Sequence, residues 1–479
     1  MAKKWEVKIP HRMNSATKIN TITAAWQKTL ADAWGAPAVY SVDGKVLRTF
    51  MEIEAEAALF GEKLAQFAPG DVVAIQIGNK PHWPALLLAC LRAGLVVLPL
   101  GTHIERAEFE LALDTCRVRG RIGFDGGKLD FAKFDAPPLE CNGPPPALLK
   151  LTSGTTSTPR AIRFSEHQLA ADCENICDTM GFGPADINFG VIPFSHSYGF
   201  SNLLTPLLCR AVPLVCADDR LPRAILGALA ASRATVFPGM PVFYQKLAEL
   251  ENPPALPDLR LCISAGAPLL KHVAESFTKK FALKIHAFYG ASECGGICYD
   301  AGDAPDYEDA FVGQPMKNVA IKFTDAGENT SRIEVSSAAV GDGYFPTADP
   351  ETLGAGHFTP SDLLAKTPRG FRIAGRVSDI INVAGRKLNP LEVEARLLEF
   401  PGVKQVIVFG IPSALRHEEA VACIAGTATA AELMAHAARV LSAWQVPKDI
   451  WLVDEIPCNE RGKISRRELA ARYLAQRGA

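Results

Sequence analysis

The 479-residue chain has no excess of either charge: 50 Lys and Arg stand against 52 Asp and Glu, a formal net charge of −2. Without a basic surplus it has no surface for a long polyanion, which excludes nucleic acid as a partner while leaving room for a pocket around one small phosphate. The opening segment MAKKWEVKIPHRMN is charged and lacks the apolar centre of a secretory signal, so no leader is expected. The longest apolar stretch, Trp83 to Leu100, is interrupted by Arg92, Gly94 and Pro99 and reads as a helix and a buried strand, not a membrane span. Twelve cysteines lie between Cys90 and Cys458 with no C-x-x-C and no His at zinc spacing. The closest pairs, Cys173/Cys177 and Cys294/Cys298, predict reduced, buried thiols of a cytoplasmic protein. A G-K-[ST] phosphate loop is missing, as is any G-x-S-x-G elbow. That excludes a Walker-type NTPase, and it excludes a serine hydrolase despite His196 standing between two serines. No internal repeat or low-complexity tract is present.

What is there is globular. Hydrophobic residues make up 48% and charged residues 21%, and the length allows about three domain-sized units at roughly 150 residues each. Strand and helix periods alternate. Asp71–Gly78 reads as a strand, Pro84–Ala93 as a helix with Pro in its first turn, and Leu95–Leu100 as a strand. Further strands are expected around Phe237, Leu261 and Ile285. This alternation predicts an α/β protein of parallel sheets covered by helices. Ala136–Ala147 is Pro-rich and is expected to connect one subdomain to the next. Beyond Gly370–Gly385 the elements shorten. The tail reads helix (Leu391–Phe400), strand (Val403–Ile411), strand (Ala420–Ala425), helix (Ala430–Trp444), strand (Ile450–Val453), helix (Arg466–Gln476), a small α+β unit of its own.

The chemistry-bearing residues are grouped. In LLKLTSGTTSTPRAI an apolar run ends in Thr152, Ser153, Gly154, Thr155, Thr156, Ser157 and Thr158, followed by Arg160. Clustered hydroxyls and backbone N–H groups around a Gly can wrap an anion. FYGASECGG puts Tyr289, Gly290, Ser292 and Glu293 after a buried strand, where one carboxylate suits Mg²⁺. SAGAP follows another strand, and its small residues leave room for a flat ring. FTPSDL, GRVSD and GRKL bring Asp362, Arg376, Asp379, Arg386 and Lys387 into a short span. IPCNERGKISRR presents Lys463 in an exposed turn.

Together these segments resemble the adenylate-forming superfamily of acyl-CoA synthetases, luciferases and non-ribosomal adenylation domains. The resemblance covers nearly the whole chain, with TSGTT, HSYG, SAGAP, YGASE, FTPSD, GRVSDIINVAGRKLNPLEVE and GKISRREL in that family's order. It implies a large N-terminal domain of layered sheets and helices, residues 1–378, and a small mobile α+β C-terminal domain, residues 379–479, carrying the catalytic lysine. It also implies roles. Thr152, Ser153, Gly154, Thr155 and Thr156 hold the β- and γ-phosphates of ATP, and Glu293 holds Mg²⁺. Gly266, Ala267 and Tyr289 frame the adenine beside Gly290, and Ser292 offers a hydroxyl to the α-phosphate in place of the usual Thr. Asp362 and Arg376 hold the ribose, Arg386 approaches the phosphates, and Asp379 is the hinge. Lys463 bridges the carboxylate and the α-phosphate. His196 gates the acyl site.

Departures from the pattern bear on substrate and acceptor. Ser157 and Arg160 replace the family's Gly and Lys, and Ala287 stands where an amide often reads the adenine amino group. All the named catalytic positions are filled, which weighs against a non-catalytic adenylate-binding homologue. Phe194, Ser195, His196 and Ser197 lack the Asp that amino-acid-activating relatives pair with the ammonium, so a fatty or aromatic acid is expected. The aromatics Phe194, Tyr198, Phe200, Phe237 and Phe243 are candidates for the acyl pocket or for the core. Pro412–Glu419 (PSALRHEE) lacks the Asp and Gly common in CoA ligases. CoA is the expected acceptor, with an acyl-carrier protein or a stand-alone adenylating enzyme as alternatives.

Overall fold

The structure is a computed structural model that describes residues 21–141, 143–152, 160–324, 330–413, 417–457 and 464–477. Three sheets organise these residues. One runs, in spatial order, Gly343–Phe345, Ala161–Phe164, Leu148–Leu151, Val96–Pro99, Val72–Gln76, Val118–Asp125, Lys128–Lys133. Its centre is parallel and its edges antiparallel. Val72–Ile75 and Val96–Pro99 at its centre are fully buried apolar runs, as a sheet covered on both faces requires.

The longest sheet has a parallel half in the order Pro37–Tyr40, Leu214–Cys216, Asn188–Gly190, Val236–Gly239, Leu261–Ser264, Ile285–Ala291. From Ile285–Ala291 onward it turns antiparallel through Gly295–Tyr299, Phe311–Pro315, Gly370–Arg376, Asp362–Thr367 and Ser331–Ser336. Asn188–Gly190 is where the strand order reverses. The next strand in sequence, Leu214–Cys216, lies on one side of it and Val236–Gly239 on the other. The carboxyl end of such a strand opens a crevice, the usual ligand position in an open α/β sheet. The helix Glu166–Met180 packs against both Ala161–Phe164 and Gly295–Tyr299, and so ties the two large sheets together. It ends at Gly181, whose φ of 68° is the left-handed cap that glycine supplies.

The third sheet is built from Ile381–Val383, Arg386–Leu388, Val403–Ser413, His417–Gly426 and Asp449–Val453. Alternation along Val403–Ser413 sends Val406 and Val408 to one face and Phe409 and Ile411 to the other. The first face is covered by the helices Pro390–Leu398 and Ala430–Val440, the second by Arg466–Arg477. Thr429 and Glu432 form a reciprocal cap at the start of Ala430–Val440, with Thr429 N–H on the Glu432 carboxylate at 2.9 Å.

The alternation and the tail elements therefore appear as read, with shifted ends. The Pro-rich segment does not do what the sequence led us to expect. Ala136–Ala147 joins Lys128–Lys133 to Leu148–Leu151, two strands of one sheet, and marks no subdomain boundary. Leu139 packs against the core beneath it, and Ala147 is hydrogen-bonded to Val97 and Phe164 in that sheet. Proline suits a return path over a sheet as well as a linker, because it needs no donor for a strand partner. Among the described residues every cysteine is a free thiol, and no helix is long and apolar enough to cross a membrane.

Candidate functional site

Two of the segments that carry expected site residues, SAGAP and YGASE, leave the carboxyl edge of the parallel strands. Gly239, Ser264 and Ala287 stand abreast in register, so the SAGAP and YGASE segments leave the sheet side by side. Gly266 and Ala267 are exposed at this rim, Gly266 with a φ of 88°. Ala287 is buried in the strand, with its carbonyl on Asp300 N–H.

His196 leaves the strand at which the order reverses. Asn79, which the sequence reading missed, holds that exit: its amide donates to Gly190 O, Ile192 O and Ala217 O at 2.8–3.2 Å and its oxygen accepts from Phe194 N–H at 2.9 Å. The His196 ring caps the short helical turn Ser197–Gly199, its Nδ1 accepting from Tyr198 N–H at 3.2 Å. A neutral imidazole held this way carries its proton on Nε2. Ser197 donates to Ser292 Oγ at 2.9 Å, which brings the HSYG and YGASE segments into contact.

Glu293 sits in the turn between two antiparallel strands. Gly290 makes this turn possible, since a Cβ there would lie 2.6 Å from Gly295 O. Half-buried by surface, Glu293 is nevertheless packed among protein groups, and burial pushes its carboxyl above the usual carboxylate range against the pull of the Tyr344 hydroxyl, which donates to Oε1 at 3.1 Å. Tyr344 was also missed; its only sequence signal is the GDGY step into an edge strand. Its ring lies under the Arg160 guanidinium at 4.2 Å.

Asp362 and Arg376 are cross-strand partners, with Arg376 Nε donating to Asp362 Oδ1 at 2.6 Å and Tyr289 OH to Oδ2 at 2.9 Å. Burial, and next the Asp362 charge, hold the Tyr289 phenol well above its ordinary value, so it stays a donor. Thr152 is tied to Arg160: its N–H and hydroxyl both donate to Arg160 O, at 2.9 and 3.0 Å. Ser153, Gly154, Thr155, Thr156, Ser157, Thr158 and Lys463 lie outside the described residues. Arg386 is exposed in the third sheet, with its guanidinium 5.5 Å from the centre of the Trp444 ring. Asp379 ends the turn Val377–Asp379 and pairs with Arg466 at 3.1 Å. Phe194, Phe200 and Phe237 are fully buried core, while Tyr198 is slightly and Phe243 partly open.

Beneath Glu293 lies a second feature without a sequence signal. The Asp172 carboxylate accepts Gly296 N–H at 3.0 Å, and a Cβ on Gly295 would fall 2.0 Å from it. Lys150 is buried nearby, with its ammonium 4.6 and 5.5 Å from the centres of the Phe164 and Phe200 rings. Burial pushes the Lys150 amine down, and Asp172 opposes it.

The donor set fits a nucleotide carrying Mg²⁺. Among the described residues no three His, Cys, Asp or Glu side chains gather as a metal site. Glu293 is a single packed carboxylate with one hydroxyl donor, the kind of ligand Mg²⁺ takes when phosphates and water complete its shell.

A family model described as AMP-binding enzyme matches residues 26–133 and 124–345, and one described as AMP-binding enzyme C-terminal domain matches 392–463. A feruloyl-CoA synthase from an Amycolatopsis species is 26% identical over 90% of this chain and 95% of its own. An oxalate–CoA ligase from Arabidopsis thaliana is 25% identical over 86% and 90%. The ATP-bound structure of MatB from Rhodopseudomonas palustris superposes with a TM-score of 0.84 at 24% identity, over 95% of this chain and 99% of that one. The chain belongs to the AMP-binding enzyme family within the adenylate-forming superfamily, and it is an AMP-forming acid–thiol ligase.

Proposed function

We propose that the protein activates an apolar carboxylic acid, aromatic or fatty, with ATP and passes the acyl group to CoA. A carboxylate oxygen attacks the α-phosphorus, the bond from that phosphorus to the bridging oxygen breaks, and pyrophosphate leaves. The thiol sulfur then attacks the acyl carbon, its proton goes to solvent, and AMP leaves. Tyr289, Gly266 and Ala267 would border the adenine, Asp362 and Arg376 the ribose, and the Ser292 hydroxyl the α-phosphate. Ser153, Gly154, Thr155 and Thr156 would hold the outer phosphates. The Mg²⁺ that travels with ATP would be held by Glu293 and would neutralise charge on the departing phosphates. Lys463 would add a cation at the reacting oxygens. The chain would divide at Asp379 into a large domain, residues 1–378, and a small one, residues 379–479.

The observation that supports this best is that three distant segments each meet Tyr289–Glu293, through Ser197–Ser292, Tyr344–Glu293 and Tyr289–Asp362. The substrate class rests on the absence of a carboxylate at Phe194–Ser197, since an ammonium buried there would go unpaired. Relatives named for ferulate and for oxalate differ in acid, so the acid is read from this chain's residues. CoA rests on the relatives' naming as CoA ligases. The test is pyrophosphate release over a panel of aryl, fatty, dicarboxylic and amino acids, with and without CoA. Release with aryl or fatty acids, and thioester formed only when CoA is added, is the expected result. Release with amino acids or dicarboxylates alone overturns the substrate class.

A further inference from the structure

Arg466 opens the helix Arg466–Arg477 and spreads its guanidinium over three elements. Nε donates to Val408 O at 2.9 Å, Nη2 to Glu394 Oε1 at 2.7 Å, and Nη1 to Asp379 Oδ2 at 3.1 Å. The same Glu394 oxygen accepts Val408 N–H at 2.7 Å. Glu394 is 8% exposed at its side chain, Arg466 21% and Asp379 25%, so the pairs are largely shielded from solvent. A planar fork held at three points is a fixed geometry that lysine cannot copy.

The three contacts are not equivalent. Glu394 lies on Pro390–Leu398 and Val408 on Val403–Ser413, both packed into the third sheet with Arg466 itself. Asp379 lies outside that sheet, at the end of the turn that follows Gly370–Arg376 of the longest sheet. If the third sheet and its helices swing as a body about Asp379, the Glu394 and Val408 contacts travel with Arg466. The Asp379 contact reports the orientation and changes with it. Asp379 also acts on the charge of Arg376, the partner of Asp362. Lys463 stands three positions before Arg466, a span of no more than about 11 Å. A pairing that fixes Arg466 therefore limits how far the Lys463 position can lie from it.

We propose that Arg466 is a positioning residue: through Asp379 it latches the small domain in the orientation that serves adenylation, and the latch opens for thiol transfer. The proposal rests on the reading of Asp379 as the turning point and adds a residue that selects between the two orientations.

The test uses the full chain with Asp379→Asn, Arg466→Lys and the double variant. Asp379→Asn leaves the buried Arg466–Glu394 pair intact and so protects the fold. The first measurement is amide hydrogen exchange over residues 377–383, which needs no substrate. Exchange should rise about fivefold in each single variant, the size of a partly exposed ion pair, and no further in the double. The second is single-turnover kinetics. The ratio of adenylation to thiol transfer should fall about fivefold in each single variant, again without a further fall in the double. A simple loss of fold would slow both half-reactions together. Unchanged exchange in the single variants, or additive effects in the double, overturns the latch. A wild-type chain that exchanges as expected but releases no pyrophosphate with any acid overturns the proposed function instead.

Discussion

Glu293 carries conflicting demands. Burial pushes its carboxyl up from an ordinary value of 4.5, so the folded chain holds that proton more tightly than the unfolded one. The stability tied to this group is then fully present below the unfolded value and is lost as pH rises through the folded one. At pH 7, above the unfolded value, this group therefore costs the folded chain stability. Glu293→Gln should raise the melting temperature at pH 7 and flatten its decline as pH rises above 4.5, as calorimetry on the free protein would show. The same variant should slow pyrophosphate release by about 10²–10³, the usual cost of one group that stabilises transition-state charge. A variant that melts lower at pH 7 would show that the carboxylate is a structural partner of Tyr344 and not a strained ligand. The motif FYGASE makes Glu293 legible in the sequence. Its hydroxyl donor, 51 residues away, and the Asp172 carboxylate under the turn, 124 residues from Gly296, are not.

At the scale of elements, the turn between Ile285–Ala291 and Gly295–Tyr299 is the most demanding piece of backbone at the site. The two strands approach so closely that Gly290 has no space for a side chain, with Gly295 O 2.6 Å from where a Cβ would stand. That obstacle is backbone, with Gly295 C behind it at 3.3 Å, so a methyl group there must spread the hairpin. Gly290→Ala should displace Ser292 and Glu293 by a fraction of an ångström to about 1 Å, a shift that can cost about 10² in rate. Pyrophosphate release measured with saturating ATP would fall accordingly, while the far-ultraviolet circular dichroism stays that of the parent. An unchanged rate would mean the turn can relax without moving its carboxylate. Helices and strands here follow the apolar periods of the sequence, and so their existence was readable. The destination of Ala136–Ala147 was not, because a proline-rich segment has the same local preferences whether it leaves a sheet or returns to it.

For the whole molecule the key position is Asp379, between the longest sheet and the third. Pro at this position fixes φ near −65° and removes the N–H. A φ near that value belongs to the 3₁₀ turn Val377–Asp379 already present. Asp379→Pro removes the carboxylate that Arg466 pairs with but fixes the backbone, so it should still hold the orientation seen here: acyl-AMP forms near the normal rate, and thioester formation falls at least about tenfold, or about 1.4 kcal/mol. Asp379→Asn, which frees the turn without fixing it, should move the ratio of the two half-reactions the opposite way. Single-turnover measurements of both steps on each variant separate these effects. Thioester formation at the normal rate in the Pro variant would show that no turn at Asp379 is needed.

The sequence by itself determined the alternation of strand and helix, the order of the polar segments along the chain, and through that order the family. These are local properties, set by apolar period, glycine and proline, and by short runs of functional side chains. Tertiary structure alone decided which segments meet. Ser197 reaches Ser292, Tyr289 reaches Asp362, Asn79 holds the exit toward His196, and Arg466 reaches Asp379 across 87 residues. Such contacts depend on sheet order and register. Those follow from how whole apolar faces are buried together, and no short window of sequence carries that information.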